Sequence, residues 1–148
     1  MTENKTLSTD DYDPKRFRPH GRVNFTREGN LIICEAIGPF NKELIEAVAG
    51  IESSLVREMQ QLPHWGDIVV IKNSALSSPE TLDAFTAYLT ELGRNNMNSL
   101  VTAMVIGEEV EGGCFVANHL INAYAEAGIN LQVFKTLHEA KVFVKLHL

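Results

Sequence analysis

The stretch DIVVI, residues 67–71, ends in four consecutive β-branched residues. Such a run is typical of a strand that is covered on both faces, as in a parallel sheet. A second apolar run, LVTAMVI, follows at residues 100–106. Between the two runs, Leu82, Phe85 and Leu89 recur at helical spacing. This order predicts two parallel strands joined by a right-handed helical crossover.

The alternation of strands and helices continues on both sides of this unit. Upstream, residues 22–27 and 31–37 predict a hairpin around the turn at 28–30, and Asn41 predicts the N-cap of a helix. Downstream we expect a third helix, an edge strand at 129–134 and a short closing helix. The order ββαβαβαβα predicts an α/β fold with a mixed, mostly parallel sheet of about five strands.

The length of 148 residues is that of one ordinary domain. Residues 1–20 are polar and without periodicity, so we expect a flexible N-terminal tail. Residues 21–148 are then expected to form a single domain.

Composition and charge exclude several classes of function. A net charge of -6 argues against nucleic-acid binding, and the basic residues near the start are expected to belong to a solvated tail. No apolar stretch approaches the roughly 20 residues that span a bilayer, and the N-terminus lacks the apolar centre of a signal peptide. The two cysteines are consistent with free thiols in a reducing compartment. We therefore expect a cytoplasmic protein.

The predicted topology also indicates where a ligand would bind. Open α/β sheets usually bind ligands at the carboxyl ends of their parallel strands, where the loops after the strands gather. The candidate residues for a ligand or partner site at this edge are Phe40, Asn73, Ser74, Ser77, Glu108, Glu109 and Glu111.

Several segments carry a family resemblance: the hairpin followed by GPFNKELIEAV, then DIVVI, VTAMVIG and the late VFKTLHEAKVFV. Together they resemble SpoIIAA-like, or STAS-like, domains over about residues 22–146. The resemblance implies a small α/β domain of the SpoIIAA-like (STAS-like) fold. It also implies a protein that acts without catalysis, by binding a protein partner or a small ligand.

The resemblance further implies a phosphorylation switch. In the anti-sigma-factor antagonists a serine after the third strand is phosphorylated, within an Asp-Ser-Ser/Thr-Gly motif. Ser74 and Ser77 stand at the corresponding place, but Asn73 replaces the Asp and the Gly is missing. Ser78 precedes Pro79 and predicts a helix N-cap instead.

Two further interpretations remain open. The apolar faces of the first and second helices could line a pocket for a lipid-like ligand, although an ordinary core also explains them. Cys114, at the start of the third helix, could serve a thiol-dependent enzyme because a helix N-terminus lowers a thiol pKa. A buried, inert Cys114 is favoured, since no histidine stands in a recognisable relation to it.

No motif predicts a catalytic residue, a cofactor or a metal. Glu108, Glu109 and Glu111 lack the Asp-x-Asp spacing of a cation site, so a solvated loop is favoured. An exposed edge strand or the hairpin would allow two copies to pair, which makes a homodimer one expectation.

Overall fold

The computed structural model describes residues 5–13 and 17–148. Over these residues the strands are β1 (Lys5–Ser8), β2 (Arg22–Glu28), β3 (Leu31–Ile37), β4 (Gly66–Lys72), β5 (Val101–Ile106) and β6 (Gln132–Phe134). The helices are α1 (Lys42–Met59), α2 (Pro79–Arg94), α3 (Gly113–Glu126) and α4 (Leu137–Leu146), with a short 3-10 helix at Thr9–Asp11. The predicted α/β class is confirmed, with six strands in the described part instead of about five.

The strands lie side by side in the same order as in the sequence. Strands β1, β2 and β3 are antiparallel neighbours, whereas β3, β4, β5 and β6 run parallel. Each crossover helix therefore adds the next strand on the same side of the sheet, which places α1, α2 and α3 on one face. Helix α4 packs on the opposite face.

Strand β4 is covered on both faces, which explains its unbroken apolar run. Ile68 and Val70 pack against Val144 of α4. Val69 and Ile71 face the other side, towards the core under α1, α2 and α3. Because alternate residues of a strand point to opposite faces, cover on both sides favours consecutive apolar residues, here residues 68–71.

The N-terminal segment differs from the flexible tail expected over residues 1–20. Residues 5–8 form β1, in which Leu7 lies opposite Phe25. The buried Thr9 accepts a hydrogen bond at Oγ1 from the amide of Val23, at 2.9 Å. Pairing with β2 supplies the backbone hydrogen bonds of this segment, and four residues are too few to show a periodic pattern. Residues 1–4 and 14–16 of the expected tail lie outside the described residues.

Short side chains cap the helices as the sequence predicts. Asn41 Oδ1 accepts from the amide of Leu44 at 3.1 Å and begins α1. Ser78 Oγ accepts from the amide of Thr81 at 3.2 Å and begins α2, with extended backbone at φ -68° and ψ 160°. Both predicted N-caps are confirmed.

The helices in the described ranges are too short or too polar for any of them to cross a bilayer.

Candidate functional site

Backbone hydrogen bonds join the loops at the carboxyl edge of the sheet. The amide of Phe40 donates to the carbonyl of Leu76 at 3.0 Å. The amide of Ala75 donates to the carbonyl of Glu111 at 2.8 Å, and the amide of Glu111 donates to the carbonyl of Asn73 at 3.1 Å. The loops after β3, β4 and β5 therefore form one connected surface.

Asn73 and Gly38 fix the closest approach between two of these loops. Asn73 has a positive φ of 66°, which asparagine tolerates better than most residues, and its Nδ2 donates to the carbonyl of Gly38 at 2.7 Å. A Cβ atom added to Gly38 would lie 1.9 Å from the carbonyl oxygen of Ser74. A side chain at position 38 would therefore separate the loops.

The two candidate phosphorylation sites differ in accessibility. Ser74 is buried, donates from Oγ to Oε1 of Glu111 at 2.8 Å and accepts from the amide of Leu76 at 3.2 Å. Ser77 is half-buried and donates only to the carbonyl of Ala75, at 3.1 Å. A phosphate on Ser74 would lie against the Glu111 carboxylate, so Ser77 is the more accessible of the two.

The remaining acidic candidates, Glu108 and Glu109, make no hydrogen bond to the described loops that Ser74 and Glu111 join. Glu108 and Glu109 are exposed, and Glu108 forms a solvent-exposed ion pair with Lys135 at 3.4 Å. Within the described ranges, no three His, Cys, Asp or Glu side chains are placed to hold a metal ion. The structure thus brings together five of the seven predicted edge residues: Phe40, Asn73, Ser74, Ser77 and Glu111.

A cavity of about 120 Å³ lies between the sheet and the three helices on its covered face. Its sheet wall includes Ala36, Val69 and Met104, and its helix wall includes Val48 and Phe85. Nearly all of the lining is apolar. The edge residues Phe40 and Ser77 also line it, so the cavity adjoins the carboxyl edge.

A surface groove lies between the first turns of α2 and α3. Leu76 and Phe115 flank it, with exposed fractions of 44% and 77%. Ser77, Leu82 and Val116 line both the groove and the cavity. The groove therefore lies next to the cavity, with these three residues between them.

Glu52 projects from α1 into the buried face of the sheet. Its Oε1 accepts a hydrogen bond from the hydroxyl of Tyr88, and its Oε2 accepts from Cys34 Sγ at 3.8 Å. Burial raises the pKa of Glu52 to about 7, against the opposing effect of the Tyr88 hydrogen bond, and the nearby Asp67 adds to the increase. This carboxyl group therefore changes charge near neutral pH.

Asp67 lines the cavity from the amino end of β4. Its Oδ1 accepts hydrogen bonds from Ser99 Oγ at 2.5 Å and from Thr102 Oγ1 at 2.6 Å. Burial raises the pKa of Asp67, while these hydroxyl hydrogen bonds lower it. A second carboxyl group thus faces the same interior space as Glu52.

Tyr124 brings a third polar group to the cavity from α3. The residue is 3% exposed, and its ring packs edge-on against Phe85 with a centroid distance of 5.7 Å. Its hydroxyl makes no hydrogen bond to any residue within 5–13 or 17–148. Burial is the main reason that the pKa of Tyr124 lies well above its ordinary value.

The sequence analysis missed this interior group, which consists of Cys34, Glu52, Asp67, Tyr88 and Tyr124. Its members come from five different elements, so no local spacing connects them. One signal was present: Glu52 stands four residues after Val48, on the apolar stripe of α1. A carboxyl group on a buried stripe is rare unless it is paired.

The expected burial of Cys114 is wrong, because this thiol is exposed at the start of α3. In the first turn of α3, Gly113 and Val116 face the core, which leaves Cys114 and Phe115 on the outer side. The Cys114 thiol makes no hydrogen bond to a described residue. Cys34 is buried in β3, as expected.

Comparison of the chain with family models, with curated proteins and with solved structures finds no match. The SpoIIAA-like resemblance therefore stays a prediction from the sequence segments that carry it.

Proposed function

We propose that this protein is a non-enzymatic, ligand-binding regulatory domain of the SpoIIAA/STAS-like type. It holds a small apolar molecule in the cavity between the sheet and the helices of its covered face. The ligand enters from the carboxyl edge, where Phe40 and Ser77 are part of the lining. A protein partner that binds at the same edge would then bind differently to the ligand-bound and the ligand-free protein.

The cavity itself is the observation that supports this proposal. Protein interiors are packed about as densely as organic crystals, and each Å³ of empty apolar space costs about 24 cal/mol. At that rate a fully enclosed apolar space of about 120 Å³ would cost at most about 3 kcal/mol when it is empty. An apolar molecule the size of about one benzene ring would recover much of that energy by restoring van der Waals contacts.

Direct binding of a one-ring probe tests the proposal. We would titrate the protein with ethylbenzene and follow the backbone amides by NMR. We expect saturable shifts confined to the residues that line the cavity. Native mass spectrometry of protein from its source cells would report any ligand that is already bound.

Two alanine-to-valine substitutions on opposite faces of the sheet provide matched variants. Ala36 lines the cavity, so Ala36→Val is expected to fill empty space, to raise the free energy of unfolding and to weaken ethylbenzene binding. Ala103 is fully buried against Ala140 and Val144 on the other face, so Ala103→Val is expected to destabilise the fold by overpacking and to leave binding unchanged. Absence of saturable ethylbenzene binding, together with destabilisation by Ala36→Val, would refute the proposal.

Several earlier expectations stay predictions beside this one. A homodimer would use β1 or β6, because the predicted hairpin β2–β3 lies inside the sheet. A cytoplasmic location is supported by the two free thiols. A thiol-dependent enzyme has only the exposed Cys114 in its favour, without a base hydrogen-bonded to it among the described residues.

A further inference from the structure

The polar groups of the cavity are acidic or phenolic, and none of them is cationic. Glu52 from α1 and Asp67 from β4 both line it. No Lys, Arg or His of the described residues does so. Glu52 is buried and Asp67 is half-buried, and both accept hydrogen bonds from hydroxyl or thiol groups. Among the described residues neither meets an opposite charge, which a positively charged ligand would supply. We infer that the cavity binds an organic cation, in which an apolar body of about one ring carries an ammonium group that the carboxyl groups of Glu52 and Asp67 bind.

The Tyr124 hydroxyl gives an independent indication of a polar ligand group. Tyr124 is 3% exposed and lines the cavity. Its hydroxyl has no hydrogen-bond partner among the described residues. No fully buried side-chain N or O atom of the described residues lacks a partner, so the Tyr124 hydroxyl keeps accessible surface that a ligand group can reach. An ammonium group carries three donors, which matches one acceptor each from Glu52, Asp67 and Tyr124.

The same groups disfavour the other apolar ligands that carry a polar end. A carboxylate ligand of the fatty-acid type would add a third acidic group to a space with two. A neutral alcohol offers one donor and no charge, so it satisfies one carboxyl group only in part. An ammonium ion forms charge-assisted hydrogen bonds, which are about twice as strong as neutral ones.

This inference rests on the proposed function, and a set of four probes with one aromatic ring separates the two. The probes are benzylamine, benzyl alcohol, ethylbenzene and benzoate, measured by isothermal titration calorimetry at neutral pH. We expect benzylammonium to bind about tenfold more tightly than benzyl alcohol, because a hydrogen bond to a charged group is worth about one factor of ten in affinity. Benzoate is expected to show no measurable binding.

Two conservative variants test whether benzylammonium binds in the cavity. We expect Glu52→Gln to lower the benzylammonium affinity about tenfold and to change the ethylbenzene affinity less than about twofold. Tyr124→Phe removes a hydroxyl that makes no hydrogen bond to a described residue, so it should leave the unfolding midpoint unchanged and still weaken benzylammonium binding. Glu46→Gln is the matched control, since Glu46 is an exposed carboxylate on the same helix.

The outcomes distinguish the two proposals. Equal affinities for benzylamine, benzyl alcohol and ethylbenzene would overturn the cation inference and leave apolar ligand binding standing. Tighter binding of benzoate than of benzylamine would also overturn it. If none of the four probes binds, both proposals fail. If Glu46→Gln weakens benzylammonium as much as Glu52→Gln, the binding is a surface charge effect and the inference fails.

Discussion

Ser74 donates a hydrogen bond from Oγ to Oε1 of Glu111 at 2.8 Å, which links the loop after β4 to the loop after β5. The backbone reinforces this link, because the two residues also form an isolated parallel bridge. The Ser74 hydroxyl is thus already engaged in holding the carboxyl edge together. Its role in the described structure is to position loops.

Replacing Ser74 with alanine is therefore expected to destabilise the fold. Ser74→Ala removes the bond to Glu111 and the bond that Oγ accepts from the amide of Leu76. We expect the free energy of unfolding to fall by about 1–2 kcal/mol, with an unchanged urea m-value. Ser77→Ala is the control, since the Ser77 hydroxyl makes one bond in a half-buried position. Equal midpoint shifts for the two variants would contradict the structural role of Ser74.

If this loop carries a phosphate, we expect it on Ser77. The Ser77 side chain is partly accessible and lies one residue before the N-cap of α2, where the helix dipole favours negative charge. Ser74 is buried, and a phosphate on it would repel Glu111. Phosphopeptide mass spectrometry of the folded protein from its source cells identifies the residue. A phosphate found on Ser74 would show that this loop opens in the cell.

Ser78 is expected to contribute to stability mainly through its capping bond. Ser78→Ala removes the acceptor for the amide of Thr81, so the free energy of unfolding should fall by about 1 kcal/mol. Ser78→Asp preserves a capping acceptor and is expected to recover most of that loss, measured in the same urea titrations. Failure of aspartate to recover stability would indicate that the Ser78 contact with the Thr81 hydroxyl matters more.

Ser78 also shows which parts of this fold were predictable from the sequence. The serine–proline pair acts over three residues, and so do the Asn41 cap and the turn at 28–30, so their signals are local. The burial of β4 on both faces is likewise encoded within the strand, in its unbroken apolar run. Strand β1 was missed because its stability comes from pairing with β2, a partner about twenty residues away.

The interior group at the cavity was missed for the same physical reason. Glu52 and Asp67 are fifteen residues apart, and Tyr124 follows much later in the chain. Only the stacking of α1 and α3 on one face of the sheet brings their side chains to the same space. The edge residues were easier to predict, because a parallel sheet gathers its loops by topology alone.

The two cysteines are expected to differ strongly in reactivity. Cys114 is exposed, whereas Cys34 is buried. Burial first, and then the neighbouring Glu52 and Asp67, raise the pKa of the Cys34 thiol well above its ordinary value. We expect a disulfide reagent to titrate one thiol rapidly in the native protein and the second only after unfolding. In Cys114→Ser the rapid reaction should disappear.

The rate of that reaction also tests the thiol-enzyme alternative. An exposed thiol without a base should react no faster than free glutathione at the same pH. A Cys114 rate far above that of glutathione would show an activated nucleophile. It would then favour an enzyme over a binding domain.

Glu52 is expected to make the fold less stable as the pH rises through the weakly acidic range. Burial raises its native pKa from the ordinary 4.5 to about 7. Between these values the unfolded chain has lost a proton that the native protein keeps, so the native state is favoured at low pH. The free energy of unfolding should therefore fall by about 3 kcal/mol as the pH rises through this range, and the change is complete above the native pKa.

The other titratable groups around Glu52 either also lower the stability as the pH rises or keep their protons over this range. Asp67 on β4 also has a raised pKa, while Cys34 on β3, Tyr88 on α2 and Tyr124 on α3 have raised values and remain protonated. Urea titrations of wild type and Glu52→Gln between pH 4.5 and 7 isolate the Glu52 contribution. We expect the wild-type curve to fall relative to the glutamine variant, because the variant has no proton to lose. Parallel curves would show that Glu52 is ionised in the native state throughout, with a pKa close to that of the unfolded chain.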